Sequence, residues 1–280
     1  LHFEVRQNGK SVDPVLLFKS DKLIKAPLHI YVIKDGDASA IICNGKRIDV
    51  SEIGQIVAEY FTGEEMYNAN VSISADEGVY MGIITDIKEQ LRNARALKVR
   101  YETEDCAIEK RLPPAPKTDM YLATVDALAG TNRRNIIVMR VNPNGEMFLG
   151  STYVKGSLHN DDLYAKELAR LKELISNPED KAECPEMEMK DIQMPDGSTR
   201  QFRVSKGMIT FQNDRATSYE DYTKAMKLIT TAYKELREEV SAEVFGKPLA
   251  ELSDTEMQVI YRAVPMNVSE VEPRDVPARQ

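Results

Sequence analysis

The stretch Met208-Ile-Thr-Phe-Gln-Asn-Asp-Arg-Ala-Thr-Ser-Tyr219 decides the predicted fold, because the spacing of its apolar residues changes within it. The apolar run that ends at Phe211 is typical of a strand, and Asn213 and Asp214 favour a turn. From Thr217 onward the apolar residues follow helical spacing, and Thr217 and Glu220 fit a capping box. The stretch therefore predicts a strand, a turn and a helix in immediate succession.

The predicted helix carries one apolar stripe and ends near Gly246 and Pro248, as helices commonly do at a glycine followed by proline. From 218 to 245 it would be about 42 Å long, which is more than a small sheet needs as cover. The stripe is therefore either internal core or, in part, a surface for a partner. Its residues are Tyr222, Met226, Ile229, Tyr233, Leu236 and Val240.

The composition indicates a folded protein with room for two domains. The chain has 280 residues, of which 42% are apolar and 29% charged, and its net charge is −8. No cluster of Lys and Arg is dense enough to follow a row of phosphates, so nucleic-acid binding is not expected. No run approaches the roughly 18 consecutive apolar residues that a membrane span requires.

The two halves of the sequence predict the same order of elements: strand, glycine turn, strand, capped helix, strand ending in aspartate, and capped helix. Asp76 corresponds to Asp214, an offset of 214 − 76 = 138 residues. A repeat of this length indicates duplicated domains rather than a solenoid. We therefore expect an α+β fold of two tandem two-layer domains, each a small mixed sheet with two helices on one face.

The prolines between Arg111 and Pro116 predict an extended linker between the domains. The predicted division is a first domain at 1–104 with an N-terminal arm, a linker at 105–119, and a second domain at 120–280. The second domain is longer because it has an insertion at 178–206 and a C-terminal tail. Units of this size are marginally stable alone, so we expect pairing between the halves or between chains.

No catalytic residue, metal site or cofactor is predicted. His2, His29 and His159 lack a third donor at ligand spacing, and the three cysteines show no CxxC pattern. The common nucleophile, phosphate-loop and dinucleotide motifs are also missing from the sequence. We therefore expect a protein that is not an enzyme.

The two aspartates that recur after a strand are the best candidates for a binding role. Each could cap the following helix by accepting its free N–H groups. Alternatively, each strand end could form a docking corner together with a nearby tyrosine. The predicted partner-binding residues are Asp76, Tyr80, Asp214, Arg215, Tyr219, Tyr222, Met226 and Tyr233.

Several motifs occur in a fixed order in the second half. They are Phe211-Gln-Asn-Asp-Arg-Ala-Thr-Ser-Tyr219, Ala232-Tyr-Lys-Glu-Leu-Arg237, Phe245-Gly-Lys-Pro248 and Val268-Ser-Glu-Val-Glu-Pro273. Together with the proline-rich Arg111–Pro116 segment, they closely resemble the long form of ExbD in the ExbD/TolR family, over residues 111–273. Residues 28–101 resemble the shorter periplasmic domain of the same family, through Val71-Ser-Ile-Ser-Ala-Asp76.

The chain also departs from the family pattern. Ala216 stands where the long form usually has glycine. Two units of the periplasmic type occur together, and no membrane helix precedes the second. The family's protonatable aspartate lies in that membrane helix, so no residue of this chain can inherit its role.

The resemblance implies a periplasmic domain of a protein anchored in the inner membrane by an N-terminal helix. It would work with an ExbB-like membrane protein and a TonB-like protein to couple the proton-motive force to outer-membrane transport. Separately, the duplicated sequence predicts self-association as a dimer or an intrachain pseudo-dimer. Two alternatives stay open. One is a TolR-like peptidoglycan-binding anchor of a Tol-Pal-type system, and the other is a periplasmic lobe that binds a small ligand between the sheets.

Overall fold

The structure is a computed structural model that describes residues 5–7, 10–12, 25–102, 107–111 and 132–271. Most of the predicted N-terminal arm, the proline-rich part of the linker and residues 272–280 of the tail lie outside the described residues. Two short strands, β1 (Val5–Gln7) and β2 (Lys10–Val12), pair antiparallel near the start of the chain.

The first unit is a six-stranded mixed sheet with the order β5-β4-β3-β6-β7-β8. Its strands are β3 (Leu28–Asp35), β4 (Ala38–Cys43), β5 (Lys46–Ile48), β6 (Asn70–Ala75), β7 (Lys98–Glu102) and β8 (Ala107–Arg111). Strand β6 runs parallel to β3 and β7, and the other pairs are antiparallel. Helices α1 (Ile53–Tyr60) and α2 (Met81–Asn93) pack their apolar sides on one face of this sheet. Along β3 the side chains point alternately to the helix-covered face and to the open face, so that Ile30 is buried and Tyr31 is exposed.

The second unit is a five-stranded mixed sheet with the order β11-β10-β9-β14-β15. Its strands are β9 (Ile136–Val141), β10 (Glu146–Leu149), β11 (Thr152–Ser157), β14 (Met208–Asn213) and β15 (Val268–Val271). Strand β14 runs parallel to β9 and β15. Helices α3 (Asp161–Ser176) and α4 (Tyr219–Phe245) pack with this sheet into the same continuous core as the first unit.

The two units repeat the same arrangement. The order β5-β4-β3-β6-β7 matches the order β11-β10-β9-β14-β15, with the same parallel and antiparallel pairs. Helices α2 and α4 begin at Met81 and Tyr219, an offset of 219 − 81 = 138 residues, which is the offset predicted from Asp76 and Asp214. The predicted α+β fold with two tandem two-layer units is therefore confirmed.

The insertion at 178–206 forms a separate layer. Strands β12 (Met187–Gln193) and β13 (Thr199–Ser205) pair antiparallel around the predicted turn, where Gly197 N–H donates to Met194 O at 3.0 Å. The hairpin packs with helix α5 (Asp254–Ala263) on the second half of α4. This small second core consists of Ile192, Phe202, Val204, Val259 and Ala263.

Two boundaries differ from the prediction. The linker was expected from residue 105, but Ala107–Arg111 forms β8 along β7, because the backbone N–H groups that pair with β7 are available until the first proline of the linker, Pro113. The C-terminal tail was expected to lack structure, but Val268–Val271 forms β15 along β14. The end of the linker at 119 and the start of the second domain at 120 stay predictions.

Within the described ranges, none of the helices combines the length and the apolar character that crossing a membrane requires.

Candidate functional site

The two units meet where each chain segment leaves its strand and enters a helix. Tyr80 and Ser218 lie opposite each other in an isolated antiparallel bridge. Two backbone hydrogen bonds flank the bridge, from Met81 N–H to Thr217 O at 2.8 Å and from Tyr219 N–H to Val79 O at 2.7 Å. The junction is therefore made by backbone groups of both units.

This crossing has a local two-fold axis. At the offset of 138 residues, Val79 corresponds to Thr217 and Met81 corresponds to Tyr219. Exchanging the two units therefore converts each hydrogen bond into the other one. The axis passes between Tyr80 and Ser218, which are themselves equivalent because 218 − 80 = 138.

Side chains of the second unit extend this contact. The hydroxyl of Tyr219 donates to Ile73 O at 3.1 Å, inside the first unit. The guanidinium of Arg215 contacts both carboxylate oxygens of Asp86 on α2, at 2.9 and 3.0 Å. Two of the predicted partner-binding residues, Arg215 and Tyr219, thus contact the other unit of the same chain.

A buried ion pair lies between the units. The Nζ of Lys88 on α2 is 3.0 Å from Oε1 of Glu270 on β15, and these side chains are only 1% and 8% exposed. The hydroxyl of Tyr222 on α4 donates to the same Glu270 oxygen at 3.3 Å. The ring of Tyr101 packs edge-on against that of Tyr222, with centroids 5.6 Å apart. Four elements therefore converge on one charged cluster.

The surroundings keep this cluster in one ionisation state. Burial raises the pKa of Tyr101 to about 12 and raises the pKa of Tyr222 well above its usual value. Burial alone would lower the pKa of Lys88, but its interactions with Tyr101 and Glu270 outweigh this effect and raise it. At neutral pH both tyrosines are therefore neutral and Lys88 is protonated.

The two recurrent aspartates both end a strand, but neither caps a helix. Asp76 accepts hydrogen bonds from the Tyr31 hydroxyl at 2.6 Å and from Lys34 N–H at 2.8 Å, and these bonds lower its pKa. Asp214 accepts from Ala216 N–H at 2.9 Å and so closes the turn before α4. The helix-capping interpretation is wrong because the Asp76 carboxylate accepts hydrogen bonds from β3 and the Asp214 carboxylate accepts one from the turn before α4.

The predicted capping box of Thr217 and Glu220 is also wrong, by one residue. Ser218 is the N-cap of α4, and its Oγ accepts from Asp221 N–H at 3.0 Å. The Thr217 hydroxyl is used elsewhere: it accepts from Asp214 N–H at 3.0 Å and donates to Val141 O at 3.2 Å. Thr217 therefore joins the turn to β9.

The apolar stripe of α4 is internal. Tyr222, Met226 and Tyr233 are each 4% exposed or less, so an external partner cannot reach them in this fold. Tyr80 differs, since it lies on the axis and is 55% exposed. Tyr219 is also buried, at 2% exposure, so four of the eight predicted binding residues are available only to other parts of the same chain.

His159 bridges two acidic residues at the start of α4, a contact that the sequence did not predict. Its Nδ1 lies 2.9 Å from Oε1 of Glu220 and its Nε2 lies 3.0 Å from Oδ1 of Asp221. Ser218 donates to the other oxygen of Asp221 at 2.6 Å. The hydroxyl therefore contacts the carboxylate rather than the imidazole, which is not the geometry of a nucleophile activated by a base.

A cavity of about 380 Å³ lies on the outer face of the second sheet. Its lining includes Tyr153, Phe148, Arg140 and Gln212, which form one row across four neighbouring strands because each is opposite the next. Within the described ranges Arg140 has no hydrogen-bond or ion-pair partner. The cavity belongs to one unit and does not lie between the two.

No family model matches this chain, and the search of curated proteins found no match. Within the part of the chain that the structure describes, no group of three or more His, Cys, Asp or Glu residues is placed to hold a metal ion.

Proposed function

We propose that the chain is a protein-binding, non-catalytic part of a periplasmic complex like that of ExbB, ExbD and TonB, which couples the proton-motive force to outer-membrane transport. The motifs that resemble the ExbD/TolR family suggest these partners. The observation that carries the proposal is the pairing of Tyr80 with Ser218, which joins two copies of one unit about a two-fold axis in a single chain. One chain would thus supply both halves of the pairing that the duplicated sequence predicts.

The surface for a partner must lie away from the junction, because the chain's own residues fill the junction. Strand β11 is a suitable edge: within the described residues it pairs only with β10, and Thr152 and Tyr153 are exposed. An extended partner segment can add to such an edge through backbone hydrogen bonds. We therefore assign partner binding to β11.

The neighbouring cavity suggests the chemistry of that segment. Phe148 and Tyr153 offer apolar ring surface, while Arg140 offers a guanidinium that can bind a carboxylate with two hydrogen bonds. Hydrogen bonds from Tyr153 and Asn142 lower the pKa of Glu146, so that this lining carboxylate is already used within the chain. The best partner is an extended segment with an acidic residue between apolar ones.

Photo-crosslinking tests this proposal. A benzoylphenylalanine at Tyr153 should crosslink to a TonB-like periplasmic segment, whereas the same group at Tyr261, which is also exposed but lies on α5, should not. Arg140→Ala should weaken binding, with Lys190→Ala as a matched control on the exposed β12 strand. A folded chain that shows no association at high micromolar peptide concentration would contradict the proposal.

A small-ligand lobe is the second candidate, and the cavity is the observation that favours it. Native mass spectrometry of the purified chain distinguishes this candidate from protein binding. A small molecule that stays bound to the native chain, but not to Arg140→Ala, would support the small-ligand lobe. Sedimentation with purified sacculi would instead support the peptidoglycan-anchor alternative, because an energy-transducing adaptor need not sediment with them.

A further inference from the structure

We propose that the charges at the junction make each unit recognise the other unit rather than a copy of itself, so that the pseudo-dimer forms between unlike units. This selectivity of the junction does not depend on what the outer surface binds.

The backbone crossing cannot provide this selectivity. The two hydrogen bonds that flank the bridge are equivalent under exchange of the units, and a third, from Gly82 N–H to Arg215 O at 2.8 Å, also uses only backbone groups. Two first units, or two second units, could make the same pair of bonds around the same axis. The choice between like and unlike pairs must therefore come from side chains.

The buried ion pair is asymmetric under this exchange. On the helices, Lys88 corresponds to Met226, because 226 − 88 = 138. On the strands, Tyr101 lies opposite Ile73 in the first sheet and Glu270 lies opposite Phe211 in the second, and 211 − 73 = 138. Tyr101 therefore corresponds to Glu270, and each unit holds one half of the ion pair.

Like pairs would bury charges of a single sign. In a pair of first units, each Lys88 ammonium group would face Tyr101 of the other copy in the place of Glu270. In a pair of second units, each Glu270 carboxylate would face Met226 of the other copy in the place of Lys88. Burying a charge without its counter-charge is costly, so both like pairs are disfavoured relative to the unlike pair.

A second pair, at the rim of the junction, gives the same preference independently. Arg215 contacts Asp86, and the equivalents of these residues are Glu77 and Lys224, because 215 − 77 = 138 and 224 − 86 = 138. Two first units would place Glu77 against Asp86, which are both acidic. Two second units would place Arg215 against Lys224, which are both basic.

Disulfide trapping on the axis tests the proposal in the full chain, with Cys43, Cys106 and Cys184 replaced by alanine. Position 80 faces position 218 in the unlike pair, but it would face position 80 of a second chain if two first units paired. Opposed residues of this kind have Cα atoms about 4.5 Å apart, which suits a disulfide. Tyr80→Cys alone therefore reports like pairing by a disulfide between chains.

The variant Lys88→Met with Glu270→Tyr gives both units the same residue at the two positions of the buried ion pair, and we expect it to raise the yield of that disulfide by about 10-fold or more. The exchanged variant Lys88→Glu with Glu270→Lys keeps an ion pair across the unlike junction and should leave the yield low. Tyr80→Cys with Ser218→Cys should form its disulfide within one chain and serves as the positive control.

Asp86→Lys provides a second test that spares the buried core. It would place Glu77 against a lysine in a pair of first units and Arg215 against a lysine in the unlike pair. The disulfide yield at Tyr80→Cys should rise, together with the dimer mass measured by light scattering. If neither the core variant nor Asp86→Lys raises the yield in folded protein, or if the yield is already high without them, the proposal is wrong.

Discussion

The ammonium group of Lys88 lies 3.0 Å from the carboxylate of Glu270, although the two residues are 182 positions apart in the chain. Both side chains are almost fully removed from water, so their attraction is only weakly screened. The pair at the rim, Arg215 with Asp86, is more than one-third exposed on both sides. The two ion pairs therefore differ in environment while they join the same two units.

We expect Lys88→Met to lower the free energy of unfolding by about 3–5 kcal/mol, because it leaves the Glu270 carboxylate buried without Lys88. Arg215→Met, the matched change at the rim, should cost about 1 kcal/mol or less, because water already screens that pair. Urea unfolding followed by circular dichroism measures both values. Equal losses of stability in the two variants would contradict the prediction that the buried ion pair matters more than the exposed one.

Thr217→Val should destabilise the chain by about 1–3 kcal/mol, because it replaces a fully buried hydroxyl that bonds Asp214 N–H and Val141 O by a methyl group. Thr217→Ser is the matched control, since it keeps the hydroxyl. In thermal unfolding, the serine variant should lose less stability than the valine variant. A serine variant that is as unstable as the valine variant would show that the hydrogen bonds are not the cause.

Gly145→Ala should cost more than Gly36→Ala. Both glycines have a positive φ, of 72° and 64°, which strains any other residue by about 1–2 kcal/mol. A Cβ on Gly145 would also lie 2.5 Å from Oδ1 of Asp221, whereas a Cβ on Gly36 would meet nothing within 4 Å. We therefore expect an additional cost of about 1–3 kcal/mol for Gly145→Ala. Equal denaturant midpoints for the two variants would contradict a close approach between a Cβ at position 145 and Asp221.

Glu256 should make the α5 layer sensitive to acid. Hydrogen bonds from Ser253 and Lys247 lower the pKa of Glu256 from 4.5 to about 2. A carboxyl with a lowered folded pKa stabilises the fold above its unfolded pKa and loses that effect as the pH falls through its folded pKa. The difference in thermal stability between the native chain and Glu256→Gln should therefore be constant above pH 4.5 and shrink towards pH 2. A stability difference that stays constant down to pH 2 would contradict the stabilising role of the ionised Glu256 carboxylate.

The repeat could be predicted from the sequence because its signals are local. The change of apolar spacing around Asp214, and the glycine and proline after Phe245, identify a strand, a turn and a helix without any tertiary information. The helix cap was misplaced because Thr217 and Ser218 are neighbouring hydroxyls that can both cap. Only the distant carbonyl of Val141 determines which of them does so.

The centre of the junction could not be predicted in this way. Glu270 lies in a short strand after a proline, with too few residues to show a period, and its partner Lys88 is in the other half of the chain. The available signal was the position of Lys88 on α2, next to the buried Ile87 and Leu91. A lysine on an apolar helix face indicates a buried counter-charge, but it does not identify the residue that supplies it.

Helix α4 begins one residue after Ser218 and continues for 27 residues, about 40 Å, to Phe245. At its far half, the guanidinium of Arg237 stacks on the ring of Tyr261, 4.4 Å from its centroid, and donates to Val264 O at 3.1 Å. One uninterrupted helix therefore connects the hairpin and α5 to the Tyr80 crossing. A force applied to the hairpin would be transmitted to the crossing, because no flexible loop lies between them.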